Sequence, residues 1–333
     1  MDDSFSQKVL RLRNEWAVTR QSSNLFPPVG KSVIDIHVER GDKPYMILWY
    51  EDCIKADGSK KEQCVRLYNV PGTLSGNILQ LKQNVPAIAG HFEIDGNVIN
   101  QLDHPLKPPL PIKDDFENLN DFLEQLPILD NDQLKHFVKK CRYRSEIFNL
   151  LKCQGGSVPG IPKSPHLTRL LGRTDTGELV FQKLWTAQQT IPRVSSLASF
   201  KSWILDLIDA LICLHSLGIV HRDLRLDNCL FSPDGTRLIL CDLESKYGQR
   251  SPPEIGSKGL DDDCWSFESD VYCIGDCIKC MVYSNSPLTA YVDWTVPEPL
   301  QVIVTACTQL SPAERPSLAA LRGMVESVSV NTL

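Results

Sequence analysis

Residues that could accept a proton or hold a cation cluster in one stretch of the second half of the chain. Residues 221–228 read HRDLRLDN, and a further carboxylate, Asp242, follows them. Asp223 in this stretch could accept a proton from a hydroxyl group. The amide oxygen of Asn228 and the carboxylate of Asp242 are hard oxygen ligands of the kind that Mg²⁺ prefers. An oriented nucleophile and a cation that neutralises phosphate charge are what phosphoryl transfer needs, so the set predicts that chemistry.

The elements that must position these residues can be read from hydrophobic spacing. Residues 200–217 repeat apolar side chains at helical intervals, which predicts an amphipathic helix, and Gly218 is placed to end it. Residues 229–231 and 238–241 are short apolar runs on either side of the turn sequence SPDG. That pattern is typical of a β-hairpin, which would place the polar residues that flank it at the ends of paired strands.

At this point the sequence resembles the protein-kinase superfamily, because HRDLRLDN matches that family's HRDLxxxN catalytic loop. The resemblance implies that Asp223 is the catalytic base, with Arg222 and Arg225 beside it in the catalytic loop. It also implies that Asn228 and Asp242 hold Mg²⁺ and that ATP is the cofactor.

The family resemblance extends upstream of the catalytic loop. Glu146 resembles the glutamate of the family's helix C, and residues 166–171 and 179–184 would be its strands 4 and 5. Phe181 would then be the gatekeeper that precedes the hinge. The hinge residues that would contact ATP are Gln182 and Leu184.

The resemblance also extends downstream. Residues 251–254, SPPE, resemble the A-P-E motif that closes the activation segment. Asp270 would brace the backbone of the catalytic loop from the start of the next helix. Arg315 would form a buried, structural salt bridge with Glu254.

The triplet that begins the activation segment departs from the family's D-F-G. It reads Asp242-Leu243-Glu244, and the leucine could fill the hydrophobic role of the phenylalanine. Glutamate in place of glycine removes backbone freedom and adds a carboxylate, which could bind a cation or repel phosphate. Choline-kinase-like enzymes also carry glutamate at this position.

A phosphate-binding loop and the family's strand-borne lysine are not evident in the sequence. Lys139 and Lys140 lie only seven and six residues before Glu146, so we expect them on the same helix as Glu146 rather than on a preceding strand. Arg66 is the nearest cation on a predicted strand, and arginine is not equivalent to lysine against phosphates. Residues 71–76 are a poor substitute for a G-x-G-x-x-G loop.

The predicted fold is α+β: a two-lobed protein-kinase-like fold with a small β-rich N-lobe and a large helical C-lobe. Its predicted parts are an N-terminal helix and extension at 1–30, a divergent N-lobe with insertions at 31–185 and the C-lobe at 186–333. The first 20 residues are predicted to be helical, and helical periodicity continues, with interruptions, over 116–151. Alternating segments predict strands at 32–38, 45–50, 63–70 and 91–102.

Composition bounds the partners and the location of the protein. The chain has 333 residues and a net charge of −6, without a basic stripe, so nucleic acid is not expected as a partner. No run of about 18 apolar residues occurs, so we expect no membrane span. The N-terminus is charged and has no apolar signal core, so the expected location is intracellular, in the cytoplasm with the nucleus as the alternative. The expected partner is a protein substrate or docking partner, and the oligomeric state is not predicted.

The 12 cysteines do not show the spacing of a metal site. Cys273, Cys277 and Cys280 fall on one face of a predicted helix, where small buried hydrophobic residues are expected.

Three functions fit these patterns. The first is an ATP-dependent protein kinase, more readily for serine or threonine than for tyrosine, supported by Asp223, Asn228 and Asp242. The second is a pseudokinase that acts as a binding module, supported by the altered D-F-G triplet and the divergent small lobe. The third is a small-molecule kinase of the choline or aminoglycoside type, which the Asp-Leu-Glu triplet favours and the Arg315 segment opposes.

Overall fold

The protein divides into two compact units. The larger unit comprises Met1–Leu12, Asp115–Ser286 and Thr295–Leu333, and the smaller unit comprises Arg13–Asp114 and Pro287–Trp294. Strands and helices both occur, which confirms the α+β class. The computed structural model describes residues 4–22, 31–39, 45–52, 62–68, 90–95, 98–104, 106, 117–130, 132–156, 159–246, 248, 251–256, 264–285 and 294–330. Within these ranges, no helix has both the length and the apolar character needed to cross a membrane.

The smaller unit contains one sheet with the strand order β1–β2–β3–β4–β5. Its strands are β1 (Lys31–Glu39), β2 (Tyr45–Asp52), β3 (Glu62–Tyr68), β4 (His91–Asp95) and β5 (Val98–Leu102). Neighbouring strands are antiparallel except β3 and β4, which run parallel. The four alternating segments of the sequence therefore form strands. The last segment, 91–102, forms two of them, the antiparallel pair β4 and β5. Ile47, Trp49 and Cys64 form a buried cluster on this sheet.

The larger unit contains a second sheet, of three strands in the order β6–β8–β7. Its strands and the neighbouring helices are α2 (Asn120–Leu123), β6 (His136–Lys139), α3 (Arg144–Cys153), β7 (Leu170–Arg173) and β8 (Leu179–Gln182). The prediction of helical structure over 116–151 was wrong at β6. Phe137 and Val138 favour extended backbone, and β6 gains an antiparallel partner in β8.

The predicted amphipathic helix and the hairpin that follows it are confirmed. Helix α4 (Ala187–Thr190) precedes α5 (Leu197–Ser216), and the hairpin consists of β9 (Cys229–Phe231) and β10 (Leu238–Leu240). Helix α5 begins where the Ser196 hydroxyl accepts a hydrogen bond from the N–H of Ser199. It ends before Gly218, whose φ of 70° is the left-handed conformation that commonly terminates helices.

The core of the larger unit forms around α5. Its apolar stripe is fully buried and includes Phe200, Trp203, Leu207, Leu211 and Leu214. Each such side chain contributes about 1.5–3 kcal/mol through the apolar surface that it removes from water. The Trp203 ring also contacts Phe231 on β9, and its Nε1 donates to the Gly235 carbonyl at 3.0 Å. The helix and the hairpin are therefore fixed to each other, and the segment between them is held at both ends.

The other helices are α1 (Phe5–Ser22), α6 (Pro253–Gly256), α7 (Phe267–Val282), α8 (Leu300–Cys307) and α9 (Leu318–Glu326). Helix α1 confirms the helix predicted at the start of the chain. On α7, Cys273 and Cys277 are buried as predicted, whereas Cys280 is partly exposed. These thiols are free. Burial raises the pKa of Cys273, and a side-chain hydrogen bond with Cys229, followed by burial, raises the pKa of Cys277.

Candidate active site

Asp270, near the start of α7, holds the backbone that leads into residues 221–228. Its carboxylate accepts hydrogen bonds from the N–H groups of His221 at 2.9 Å and Arg222 at 3.0 Å. The same carboxylate lies 2.9 Å from Nε2 of His215, near the end of α5. Arg222 has a φ of 71°, a left-handed conformation that costs a residue other than glycine about 1–3 kcal/mol. Asp270 thus has the geometry of the brace that the family resemblance implied.

Three residues of the predicted catalytic loop lie together. Asn228 Nδ2 donates to the Asp223 carboxylate at 2.9 Å and to the Asp223 carbonyl oxygen at 2.8 Å. Arg225 Nε lies 3.2 Å from the same carboxylate oxygen. Burial raises the pKa of Asp223 above the ordinary aspartate value, and Arg225 and Asn228 oppose that shift. The carboxylate is therefore oriented and partly shielded from water.

Asp242 follows the end of β10, in a segment that is hydrogen-bonded to the predicted catalytic loop. The N–H of Cys241 donates to the Asn228 carbonyl at 2.9 Å, and His221 Nε2 lies 3.0 Å from the Cys241 carbonyl oxygen. Asp242 itself has a φ of 62°. A cavity of about 150 Å³ is lined by Asp223, Asp242, Glu244, Ser245 and Gly248. The two predicted functional carboxylates therefore face one small cavity.

Lys139, the last residue of β6, is a strand-borne cation beside Asp242 that the sequence did not reveal as one. Its Nζ lies 2.8 Å from Oε1 of Glu146 on α3, and it also bonds the carboxylate of Asp242. The expectation that Lys139 shares a helix with Glu146 was wrong, because β6 ends at Lys139 and α3 begins only at Arg144. Burial disfavours the ammonium, but the two carboxylates outweigh burial and raise the pKa of Lys139. Its positive charge is therefore secure at neutral pH.

Arg66, the other cation considered for this role, is occupied within its own sheet. It forms an ion pair with Glu93 on the neighbouring strand at 3.0 Å. Its guanidinium also lies over the rings of Tyr45 and Tyr68, 5.4 and 5.9 Å from their centroids. These contacts give Arg66 a structural role in the smaller unit.

Helix α3 is tied to the Asp-Leu-Glu triplet. Asn149 Nδ2 donates to the carbonyl oxygen of Leu243 at 2.8 Å, and the Leu243 side chain is fully buried. The leucine thus takes the hydrophobic place expected of it. Burial and the charge of Asp242 raise the pKa of Glu244 to about 7. Glu146, Asp242 and Glu244 each offer one carboxylate oxygen within 4.8 Å of the others, a donor set suited to a hard cation.

Lys246, just after this triplet, is linked to the first residue of α3. Glu117 accepts a hydrogen bond from the N–H of Arg144 at 2.7 Å, and its other oxygen lies 3.3 Å from Lys246 Nζ. The same Nζ lies 4.0 Å from the centroid of the Tyr143 ring. Nothing in the local sequence indicates this link, because Glu117 and Lys246 are 129 positions apart.

The predicted hinge residues follow the gatekeeper position on β8. Phe181 is buried, Gln182 is exposed and Leu184 is partly buried. Trp185 and Phe231 exchange two backbone hydrogen bonds, of 2.9 and 2.8 Å, which anchor this segment on β9. Among the hydrogen bonds of the described residues, none joins Gln182 or Leu184 to the charged groups around Asp242.

The predicted Glu254–Arg315 salt bridge is confirmed. Arg315 Nη1 and Nη2 each lie 2.7 Å from a Glu254 oxygen, and the arginine side chain is fully buried. Ser269 Oγ also donates to Glu254 at 2.9 Å. The segment considered as a substitute phosphate loop, 71–76, lies outside the described residues. In the part of the chain that the structure describes, no glycine-rich loop joins two strands beside the cavity.

Known proteins give a partial match to this chain. No family model matches it. Over 172 residues it is 26% identical to a serine/threonine-protein kinase-like protein of Arabidopsis thaliana, which covers 42% of this chain and 48% of that protein. Over 105 residues it is 30% identical to the probable serine/threonine-protein kinase WNK8 of Oryza sativa subsp. japonica, which covers 29% of this chain and 17% of that protein. The matches span about half or less of each relative, and they support a distant relationship to the protein-kinase superfamily.

Proposed function

We propose that the protein is an ATP- and Mg²⁺-dependent phosphotransferase of the protein-kinase type, acting on serine or threonine hydroxyls of a protein substrate. The observation that carries the proposal is the position of Lys139, whose ammonium bonds both Glu146 on α3 and Asp242 after β10. Protein kinases require a strand lysine paired with a helix C glutamate and an aspartate that holds Mg²⁺. In this proposal the β6–β8–β7 sheet and α3 form the small lobe, and the helices around α5 and α7 form the large lobe.

The residues around the cavity fit a magnesium nucleotide. Asn228 and Asp242 would hold the cation through oxygen atoms, and Lys139 would contact the phosphates. When bound, Mg²⁺ neutralises charge on the β- and γ-phosphates. Gln182 and Leu184 would line the site on the adenine side, as the family resemblance implies.

Asp223 would act on the acceptor hydroxyl. Its carboxylate would orient the hydroxyl and accept its proton, and Arg225 and Asn228 hold the carboxylate for that task. Burial raises the pKa of Asp223, which moves the base towards the operating pH and favours proton transfer.

Two observations favour a protein acceptor. Both relatives named above are described as serine/threonine-protein kinases or kinase-like proteins. Glu254 and Arg315 form a buried salt bridge, and Pro253-Glu254 and the segment of Arg315 are the sequence features that oppose a small-molecule kinase.

The test is ADP formation from Mg·ATP by the purified chain, with protein acceptors and small-molecule acceptors assayed in parallel. Turnover should be lost in Lys139→Met, Asp223→Asn and Asp242→Asn. It should persist in Lys140→Met, a matched control at the neighbouring, exposed lysine. Turnover that survives all three site substitutions contradicts the proposal. The acceptor that responds decides between a protein kinase and a small-molecule kinase.

A second candidate function, a pseudokinase that binds partners without turnover, is favoured by Glu244. A carboxylate stands there in place of the glycine of D-F-G, close enough to Asp242 for their charges to interact. Absence of turnover by a folded protein, with every acceptor class, would select this candidate.

A further inference from the structure

The charged groups around Asp242 are unbalanced. Glu146, Asp242 and Glu244 bring three carboxylates to one place, and Lys139 brings one ammonium that bonds the first two. Arg142 is a second cation that interacts with Glu244. Three carboxyl groups therefore share two cations in a partly buried cluster, and buried charges in proteins are usually paired or bound to metal ions.

Glu146 gives a second, independent indication of a missing partner. Its side chain is only 2% exposed, and Oε1 is bonded to Lys139. Its other oxygen, Oε2, is buried and has no hydrogen-bond partner among the described residues. The Cys141 thiol donates to the Tyr143 carbonyl at 3.2 Å, and of the groups that act on Glu146 it has the smallest effect. An unpartnered buried carboxylate oxygen costs free energy unless something outside the chain binds it.

We propose that Glu244 and Asp242, with Glu146 in reach, bind a hard divalent cation in the absence of any nucleotide. The inference rests on the proposed function, because Asp242 is a metal ligand in each of them. The inference adds a ligand role for Glu244 and cation binding that needs no phosphate. Two oxygens that each lie 2.1–2.6 Å from one cation are separated by up to about 5 Å, and the three carboxylates fall within that limit at 4.8 Å.

The position of Glu244 explains why nucleotide is not needed. A glycine there would leave Asp242 as the sole carboxylate of the triplet, and phosphate oxygens would have to supply further ligands. Glu244 supplies a second carboxylate from the protein and borders the same cavity as Asp223. The cation can therefore be in place before the nucleotide arrives.

The test is titration of the full chain with Mn²⁺ alone, followed by electron paramagnetic resonance of the free ion. Wild type should bind about one equivalent of Mn²⁺. Glu244→Gln keeps the size of the side chain but loses its charge, and it should weaken binding about tenfold or more. Glu124→Gln, the same change at an exposed residue of the same unit, should bind like wild type. Glu244→Asp, which keeps a carboxylate, should bind more tightly than Glu244→Gln.

Thermal unfolding without nucleotide supplies the second measurement. Mn²⁺ should raise the melting temperature of wild type and of Glu244→Asp by more than that of Glu244→Gln. Equal Mn²⁺ affinity in wild type and folded Glu244→Gln would overturn the inference, as would no binding to wild type. ATP turnover without such binding would leave the proposed function standing and remove only this inference. Mn²⁺ binding that depends on Glu244, found without ATP turnover, would leave this inference standing and contradict the proposed function.

Discussion

Lys139 Nζ lies 2.8 Å from Glu146 Oε1. The two residues are seven positions apart in the chain, and they belong to different elements, strand β6 and helix α3. The pair is formed across the short connection between the last residue of β6 and the first turn of α3. Because the same ammonium bonds Asp242, one side chain joins the small sheet, helix α3 and the segment after β10. The geometry of the candidate site therefore depends on a contact between three separate elements.

Lys139→Met should lower ATP turnover by about 100-fold or more, because the variant lacks the ammonium to which the proposed function assigns the contact with the phosphates. It should also lower the free energy of unfolding by about 1–3 kcal/mol, since Glu146 stays buried without its partner. Both effects can be measured by ADP formation and by urea unfolding. Lys140→Met should change neither quantity, and an equal loss in the two variants would argue against a specific role for Lys139.

Asp270→Asn should lower the free energy of unfolding by about 2–4 kcal/mol and reduce turnover. The amide keeps the shape of the side chain, but its NH₂ group faces an N–H donor, so one of the bonds to His221 and Arg222 is lost. Asp209→Asn is a suitable comparison, because Asp209 forms a partly exposed pair with Arg322 at 2.9 Å. This substitution should lower the free energy of unfolding much less than Asp270→Asn does, since exposed ion pairs contribute little. Urea unfolding of both variants decides the matter, and equal losses would contradict the bracing role.

The Glu254–Arg315 salt bridge predicts a pH-dependent stability. Burial disfavours the ionised glutamate, but the hydrogen bonds from Arg315, the backbone and Ser269, together with the charge of Arg315, outweigh burial and lower the pKa of Glu254 below its ordinary value of 4.5. A lowered pKa means that the carboxylate stabilises the fold above pH 4.5 and that this contribution is lost as the pH falls through the folded-state value.

Glu254→Gln should therefore be less stable than wild type at pH 7, by about 3 kcal/mol, because Arg315 remains buried. The difference in free energy of unfolding between wild type and Glu254→Gln should become smaller at the lowest pH at which both proteins are still folded. Urea unfolding over a pH series measures it. A difference that widens as the pH falls would show that the sign of the shift is wrong.

Glu117 should help to fix the start of α3 relative to Lys246, which follows the Asp-Leu-Glu triplet. Glu117→Gln keeps an oxygen for the N–H of Arg144 but loses the ion pair with Lys246, so it should cost about 1 kcal/mol or less. Glu117→Ala also loses the acceptor at the start of the helix, which should cost about 1 kcal/mol more. Turnover should fall in the same order. Turnover and urea unfolding should be measured for both variants. Equal turnover and equal stability of Glu117→Ala and Glu117→Gln would contradict the role of Glu117 at the start of α3.

Local patterns were enough to predict the elements that carry the catalytic loop. Helix α5 has a continuous apolar stripe and a glycine at its end, and the hairpin β9–β10 has a turn sequence between two apolar runs. The strands of the smaller unit were found in the same way, from alternation. The parallel pairing of β3 and β4 could not be found, because pairing depends on segments distant in sequence.

The strand position of Lys139 was missed for a related physical reason. Strand β6 has four residues, too few for alternation to stand out from helical spacing, and it pairs with β8, forty or more positions later. The residues Phe137 and Val138 before Lys139 were the available signal, since both favour extended backbone. The link from Glu117 to Lys246 has no local signal at all.

The double contact of Lys139 means that the site carries its own counterion. In this conformation the ammonium bonds Asp242. Under the proposed function, a cation would have to displace the ammonium before it could bind Asp242, and the ammonium would keep Glu146 as a partner and be able to contact phosphates. The ion pair given up would reduce the net free energy gained when the cation binds, so the cation affinity would reflect the difference between two ionic arrangements of nearly the same atoms.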